Sequence, residues 1–437
     1  MNVALVKSTA ERPLAEIFTA ARGRLPGTGA VAQARQAAFD VFARQGLPHR
    51  RIEEWKYTDL RALLREVAPL ADAPDAAALT RAEAAVAALD VKNTRTLVLV
   101  DGVFASGLSD LAGLEAGLHV RSLRETLEAG DAAALQSGAA IDSMTALNAA
   151  LATDGVAIEV AAGATLERPL HIVHIAVAST AAAFTRSQVV IGKGARVTLV
   201  ESFVAASGAG AYQASDALFV TIADEAELQH VRLMEDARDA ANITTGVFTL
   251  GARAKCNTFN LTSGGGVSRY QGFIAFKGEG SELSTNGVNL LGGRRHGDTT
   301  LVVDHAVPHC TSREVFRSVL DDRGHSVFQG RIIVQPDAQK TDGKMMTRAL
   351  LLSDEAEIDN KPELEIFADD VTCGHGATAG ALDESLLFYL RARGLPEKEA
   401  QALLIAAFVG EAIESIVDDD LRDVAVNAAE RWLTARG

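Results

Sequence analysis

The chain has 437 residues, with 57 acids against 42 bases and a formal charge of −15. That length suits two or three domains with ample material for a buried core, while the acidic balance argues against a nucleic-acid binder, whose footprint is basic. Aromatic residues make up 5%, which leaves little of the stacking platform that single strands or sugars favour.

The N-terminal MNVALVKSTAERP has no continuous apolar core of the signal-peptide kind. No run reaches the roughly 18 apolar residues that a membrane span requires. The nearest, HIVHIAVASTAAAF, is interrupted by His171, His174, Ser179 and Thr180. Cys256, Cys310 and Cys373 are too few for a disulfide framework. The expected setting is a reducing cytoplasm, with neither membrane nor nucleic acid as partner.

Residues 1–150 are Ala-rich with helical spacing. ERPLAEIFTAARGRL and AVAQARQAAFDVFARQGLP predict amphipathic helices, the second stopped by Gly46 and Pro48. TRTLVLVDGVF predicts a strand near 96–101 followed by a turn, after which helix returns to about residue 150.

Over 151–372 the period becomes strand-like and a repeat emerges. VAAGATL, IGKGARV, IADEAEL and LGARAKC each place an apolar residue, a tight turn, a small residue and then alternating apolar positions. Their small anchors are Ala164, Ala195, Ala226 and Ala254, and the series continues in softer register through Ser281, His325 and Ala356. A turn-plus-strand unit that cannot bury its own apolar face must stack on copies of itself. VTLVES, FVTIAD, ELQHVRL and GRIIVQ alternate with one face in and one face out, and no helix-length segment separates them. The pattern predicts a parallel β-solenoid. An antiparallel sandwich is the competing architecture, weakened by a single Asn-Gly hairpin signal at Asn286–Gly287.

Residues 373–437 read as a helical domain at one end of the solenoid. In DESLLFYLRARG, Asp383 is the expected N-cap, Leu386, Leu387 and Leu390 form an apolar stripe, and Gly394 is the stop. Two further helices follow, the first opened by Pro396.

The chemistry-bearing candidates are few. There is neither a GxxxxGK[ST] phosphate loop nor a GxSxG elbow, so no nucleotide is expected to bind this chain. Cys373 and His375 are spaced i, i+2, which on an extended strand puts both side chains on one side. They could then offer sulfur and nitrogen to one soft metal ion, with the remaining ligands coming from elsewhere. The competing reading is a small buried thiol beside a turn histidine. DHAVPHC, with His305, His309 and Cys310, forms a second cluster in which the two histidines would align on one strand face; a structural role is favoured there. For Cys256, at an inward strand position, core packing is the default.

KPELEIFADDVTCGHGATAGALDESLLFYLRARG (361–394) strongly resembles the C-terminal signature of the SufD family, scaffold subunits of the bacterial SUF iron–sulfur cluster assembly system. SVFQGRIIVQPDAQKTDGKMMTRALLLSDEAEIDN, HAVPHCTSREVFRSVL and the EEWKYT element in RIEEWKYTDL (51–60) extend the resemblance over most of the chain. Cys-x-His-Gly-Ala-Thr together with EEWKYT favours SufD over its sibling SufB. Gly374 departs from the serine usual between the cysteine and histidine, which loosens the turn. The resemblance implies a right-handed parallel β-helix flanked by helical regions, acting as a non-catalytic scaffold. It also implies a complex with SufB and with the SufC ATPase, and a possible homodimer in isolation. A transient iron–sulfur cluster would sit at the SufB interface, tied to His375 and more weakly to Cys373, with a contribution to iron acquisition. The helix bearing Asp383, Leu386, Phe388, Tyr389, Leu390, Arg393 and Gly394 would bind the ATPase. Two other classes stay open: a carbohydrate-active β-helix, which would need an aromatic or charged groove, and a purely structural homodimer paired through exposed strand edges.

Overall fold

The computed structural model describes residues 11–64, 66–138 and 142–436. The N-terminal residues 1–10, on which the expectation about a signal segment rests, lie outside it, as do residues 139–141 of the second Ala-rich stretch.

The architecture is a parallel β-solenoid of about eight turns, flanked by helices at both ends of the chain. Each turn lays one strand in sheet A and the next in sheet B, so neighbours within a sheet are two strands apart in sequence and run parallel. This excludes the antiparallel sandwich. Sheet A runs from Leu118–Ser122 and Val156–Val160 to Glu357–Ile366; sheet B runs from Arg95–Val100 and Leu170–Ala176 to Thr372–Gly380.

The alternation seen in the sequence is the lumen. In Arg196–Ala205, Val197, Leu199 and Phe203 face inward, and they lie beside Leu228, His230 and Met234 of the next turn. The small anchors stack too: Ala164, Ala195, Ala226, Ala254 and Ser281 each lead into a sheet B strand. Each follows a left-handed residue, Gly163, Gly194, Glu225, Arg253 and Gly280, with φ between 52° and 73°. Gly163, Gly194, Glu225 and Arg253 pass their N–H to a carbonyl of the next turn at 2.8–2.9 Å. The repeat therefore arises because one backbone corner stacks on itself.

The continuation of that series needs correction. The next corners are His309 (φ 61°) before Cys310 and Lys340 (φ 63°) before Thr341. His325 and Ala356 lie instead at the opposite corner, leading into sheet A. The sequence pattern jumped sheets because Cys310 and Thr341 lack the Gly/Ala signature of the earlier corners.

The helices do not form an appendage at the solenoid's end. Sheet B strands are apolar on their outer face as well, through Val200, Val231, Phe259, Leu261, Val288 and Val319, and helices Glu397–Ile413 and Asp419–Ala435 pack Ile405, Val409, Ile413 and Trp432 against that face. The N-terminal helices Glu11–Ala21 and Ala30–Gln45 cover Phe184 and Ile243 on the outer face of sheet A with Leu14, Phe18 and Phe42.

The EEWKYT element is a latch onto sheet A. Trp55 is fully buried beneath the Arg269 guanidinium, 3.8 Å from its ring centroid. Arg269 pairs with Asp298 and donates to the Glu54 carbonyl at 2.7 Å. Thr58 bonds Asp298 and lies 2.9 Å from His296 Nε2, while Glu53 pairs with Lys361 on the final sheet A strand.

Candidate functional site: the open last turn

The two ends of the solenoid differ. At the first turn, sheet A is closed by the antiparallel strand Leu118–Ser122, and sheet B by the antiparallel pair Arg95–Val100 and Val103–Phe104. At the last turn, Glu357–Ile366 and Thr372–Gly380 each pair on one side only. The first is half-buried over most of its length and the second is largely exposed. Both present unpaired backbone groups along their free edges, apart from Pro362, which has no N–H to offer.

Thr372–Gly380 continues the inward columns of sheet B. His375 is the last member of the column His230, Thr258, Thr285, Glu314, Met345, all of which are buried. His375 itself is exposed because no further turn lies over it. Cys373 ends the parallel column Cys256, Leu283, Ser312, Gly343. It is half-buried against the apolar cluster that contains Met345 and Ile332. Thus the i, i+2 pair points into the mouth of the lumen, on one side, as an extended strand requires. Burial, with the nearby Asp342 carboxylate, raises the pKa of the Cys373 thiol. Of the two, His375 is the more accessible ligand, and Cys373 needs a metal or a cationic partner to become a thiolate.

The strand carries both residues past the boundary expected at 372, and the chain turns to helix only at Glu384–Ala392. Asp383 caps that helix by accepting from the N–H groups of Ser385 and Leu386, and Gly394 (φ 96°) ends it. The helix buries none of its residues. Leu386, Phe388 and Tyr389 are 51%, 74% and 54% exposed, Leu390 is half-buried, and the Arg393 guanidinium lies 5.1 Å from the Tyr389 ring centroid. Three large apolar side chains of this helix therefore face solvent.

The other sequence candidates separate. His305 ends its strand, buried, stacked on Phe276 with ring centroids 4.4 Å apart and 3.1 Å from Ser312 Oγ; burial lowers its pKa to about 4. His309 occupies the exposed left-handed corner, so the two histidines do not share a strand face. Cys310 is buried at the corner anchor, and Cys256 is buried in the core.

Sequence reasoning passed over a polar layer inside the lumen. His174, Glu201, Asp216, His230 and Arg232 all face inward there. The signal was available: in VTLVES and ELQHVRL, a polar residue falls on the apolar parity.

Residues 174–408 match the family model described as the SUF system FeS cluster assembly, SufBD core domain, and residues 10–172 match the SufBD protein N-terminal region. The iron-sulfur cluster assembly protein SufD of Escherichia coli is 32% identical over 408 residues, covering 91% of each chain. A SufBD family protein of Synechocystis is 29% identical over 402 residues, covering 87% of this chain and 86% of its own. The SufD of Bacillus subtilis is 27% identical over 313 residues, covering 68% and 69%.

Proposed function

Because this chain belongs to the SufBD family of the SUF iron–sulfur cluster assembly system, we propose that it is a non-catalytic scaffold subunit whose open last turn holds a nascent cluster against a SufB partner. The observation that carries this is the exposure of His375 at the end of an otherwise buried column. A partner solenoid stacked on the free edges of Glu357–Ile366 and Thr372–Gly380 would continue both sheets. It would also enclose His375 and Cys373, excluding water and oxygen from the cargo between them.

In this reading His375 supplies a neutral imidazole nitrogen to iron, and Cys373 stands beside it as a secondary ligand once deprotonated. The partner supplies the remaining ligands. The chain contributes to iron acquisition through the same pair. No step requires a nucleotide here, and ATP hydrolysis belongs to the SufC subunit. That subunit would dock on the helix bearing Asp383, Leu386, Phe388, Tyr389, Leu390, Arg393 and Gly394. Closure of the ATPase would move this helix and reshape the shared interface as a two-state rearrangement. In isolation, a second copy of this chain is the natural occupant of the same edges. No described helix is long and apolar enough to cross a membrane. Family membership sets aside the carbohydrate-active reading.

The test is cluster formation on the reconstituted three-subunit complex. His375→Ala should leave the complex assembled, since the side chain is exposed, and cut cluster formation at least tenfold. Undiminished cluster formation would remove His375 from the mechanism.

A further inference from the structure

The polar layer inside the lumen brings three metal-donor side chains together. His174 from strand Leu170–Ala176, Glu201 from Arg196–Ala205 and Asp216 from Gln213–Ile222 converge there, with one ligand atom of each lying within 4.8 Å of the others. His174 Nε2 is 4.0 Å from Asp216 Oδ1. That nitrogen is buried and has no hydrogen-bond partner.

The surrounding bonds orient the imidazole. The Thr185 hydroxyl donates its one hydrogen to Asp216 Oδ1 at 2.6 Å. It also lies 3.5 Å from His174 Nδ1, toward which it can then act only as acceptor. This favours the tautomer with the proton on Nδ1 and leaves Nε2 with a bare lone pair aimed at two carboxylates. A histidine whose second nitrogen is held by an outer partner, so that the first is free to coordinate, is the usual arrangement around a protein-bound metal. His174 also stacks on Phe203, with ring centroids 4.3 Å apart and planes 5° apart, so the ring cannot easily turn away. Glu201 is positioned in the same manner by His230 Nε2 at 2.8 Å. Arg232 also pairs with Glu201, its Nε 3.9 Å from Oε2, while its two terminal nitrogens bond Asn260 and Thr244.

A cavity opens beside these donors, and its walls include His174, Thr185 and Asp216 together with two further acids, Asp101 and Asp236. The remaining walls are mostly apolar, Asp101 and Asp236 being held by Val177 N–H and Tyr212 O–H, and it is the bare imidazole nitrogen facing two carboxylates that suits a cation. We propose that His174, Glu201 and Asp216 bind one divalent first-row transition cation of the Fe(II), Mn(II) or Zn(II) class inside the solenoid, apart from His375. One nitrogen and two carboxylate donors fit that class; metal–ligand distances of about 2.1 Å place donors about 3–3.5 Å apart, so the three atoms, now within 4.8 Å of one another, would close around the ion by rotation of the Glu201 and Asp216 carboxylates. This inference does not depend on the role given to His375.

Equilibrium dialysis of the purified full-length chain against Zn(II), and anaerobically against Fe(II), tests it, with bound metal counted per chain. The Cys373→Ser/His375→Ala double variant removes the open-turn ligands and should retain one ion per chain. His174→Phe, which keeps the ring stack on Phe203, and Asp216→Asn, which keeps the shape, should each weaken binding in that background at least tenfold. Thr185→Val, which removes only the orienting hydroxyl, should weaken it by a smaller factor. Binding should also raise the melting temperature of the double variant and leave that of His174→Phe unmoved. If the double variant takes up no ion, or if Asp216→Asn and Thr185→Val bind as tightly as their parent, the layer holds a proton on Asp216 and the proposal is overturned.

Discussion

Glu314 lies two places before His375 in the same inward column. It is fully buried, with the Ser312 hydroxyl beside its carboxyl. Burial pushes its pKa up to about 8, whereas an unfolded glutamate titrates near about 4.3. Between those values the folded chain holds a proton that the unfolded chain has released, so stability falls as pH rises through that window. Glu314→Gln should flatten this slope. Denaturant unfolding at pH 5 and pH 8 should show the variant gaining on the parent at the higher pH, by up to roughly 3–4 kcal/mol; equal slopes would show that Glu314 is already paired or solvated. Cys373 and His375 were legible in sequence because i, i+2 spacing fixes a shared side whatever the surroundings. The exposure of His375 was not, because its residue environment repeats that of buried neighbours and only the absence of a following turn distinguishes it.

The latch and the uncovered helix make the next level of prediction. Trp55→Ala removes a fully buried ring and uncovers Arg269, whose charge is otherwise compensated by Asp298. Loss of a buried aromatic costs about 3–5 kcal/mol, and denaturant unfolding should show a loss of that order, with Trp55→Phe retaining much of it. The helix Glu384–Ala392 behaves oppositely, since it buries no residue. Replacing Leu386, Phe388 and Tyr389 together by Ser should leave the melting temperature within a few degrees of the parent and abolish co-purification with the ATPase subunit. Retained co-purification would place the docking surface elsewhere. Truncation of everything after the last strand is a poorer test, because helices Glu397–Ile413 and Asp419–Ala435 cover the apolar outer face of sheet B. Sequence periodicity found these helices, and Asp383 and Gly394 marked the bounds of the first. It could not place them, because DESLLFYLRARG and PEKEAQALLIAAFVGEAIESI carry similar apolar stripes, yet only the second finds a sheet to cover.

At the scale of the whole molecule, one backbone corner repeated along the chain makes a solenoid, and the solenoid has two unlike ends. The corner was visible in the sequence where Gly or Ala marked it, at Ala164, Ala195, Ala226 and Ala254, and was lost where Cys310 and Thr341 took the same place. The closed first turn and the open last turn were not visible, because closure by Leu118–Ser122 depends on long-range antiparallel pairing. The open end is where the account places partner and cargo. Hydrogen exchange on the monomeric fraction of this chain, alone and in the three-subunit complex, reads that placement directly. Backbone amides of Glu357–Ile366 and Thr372–Gly380 on the free edges should exchange rapidly alone and become strongly protected in the complex. Unchanged exchange along both strands, with protection confined to the outer faces of the sheets, would contradict the account.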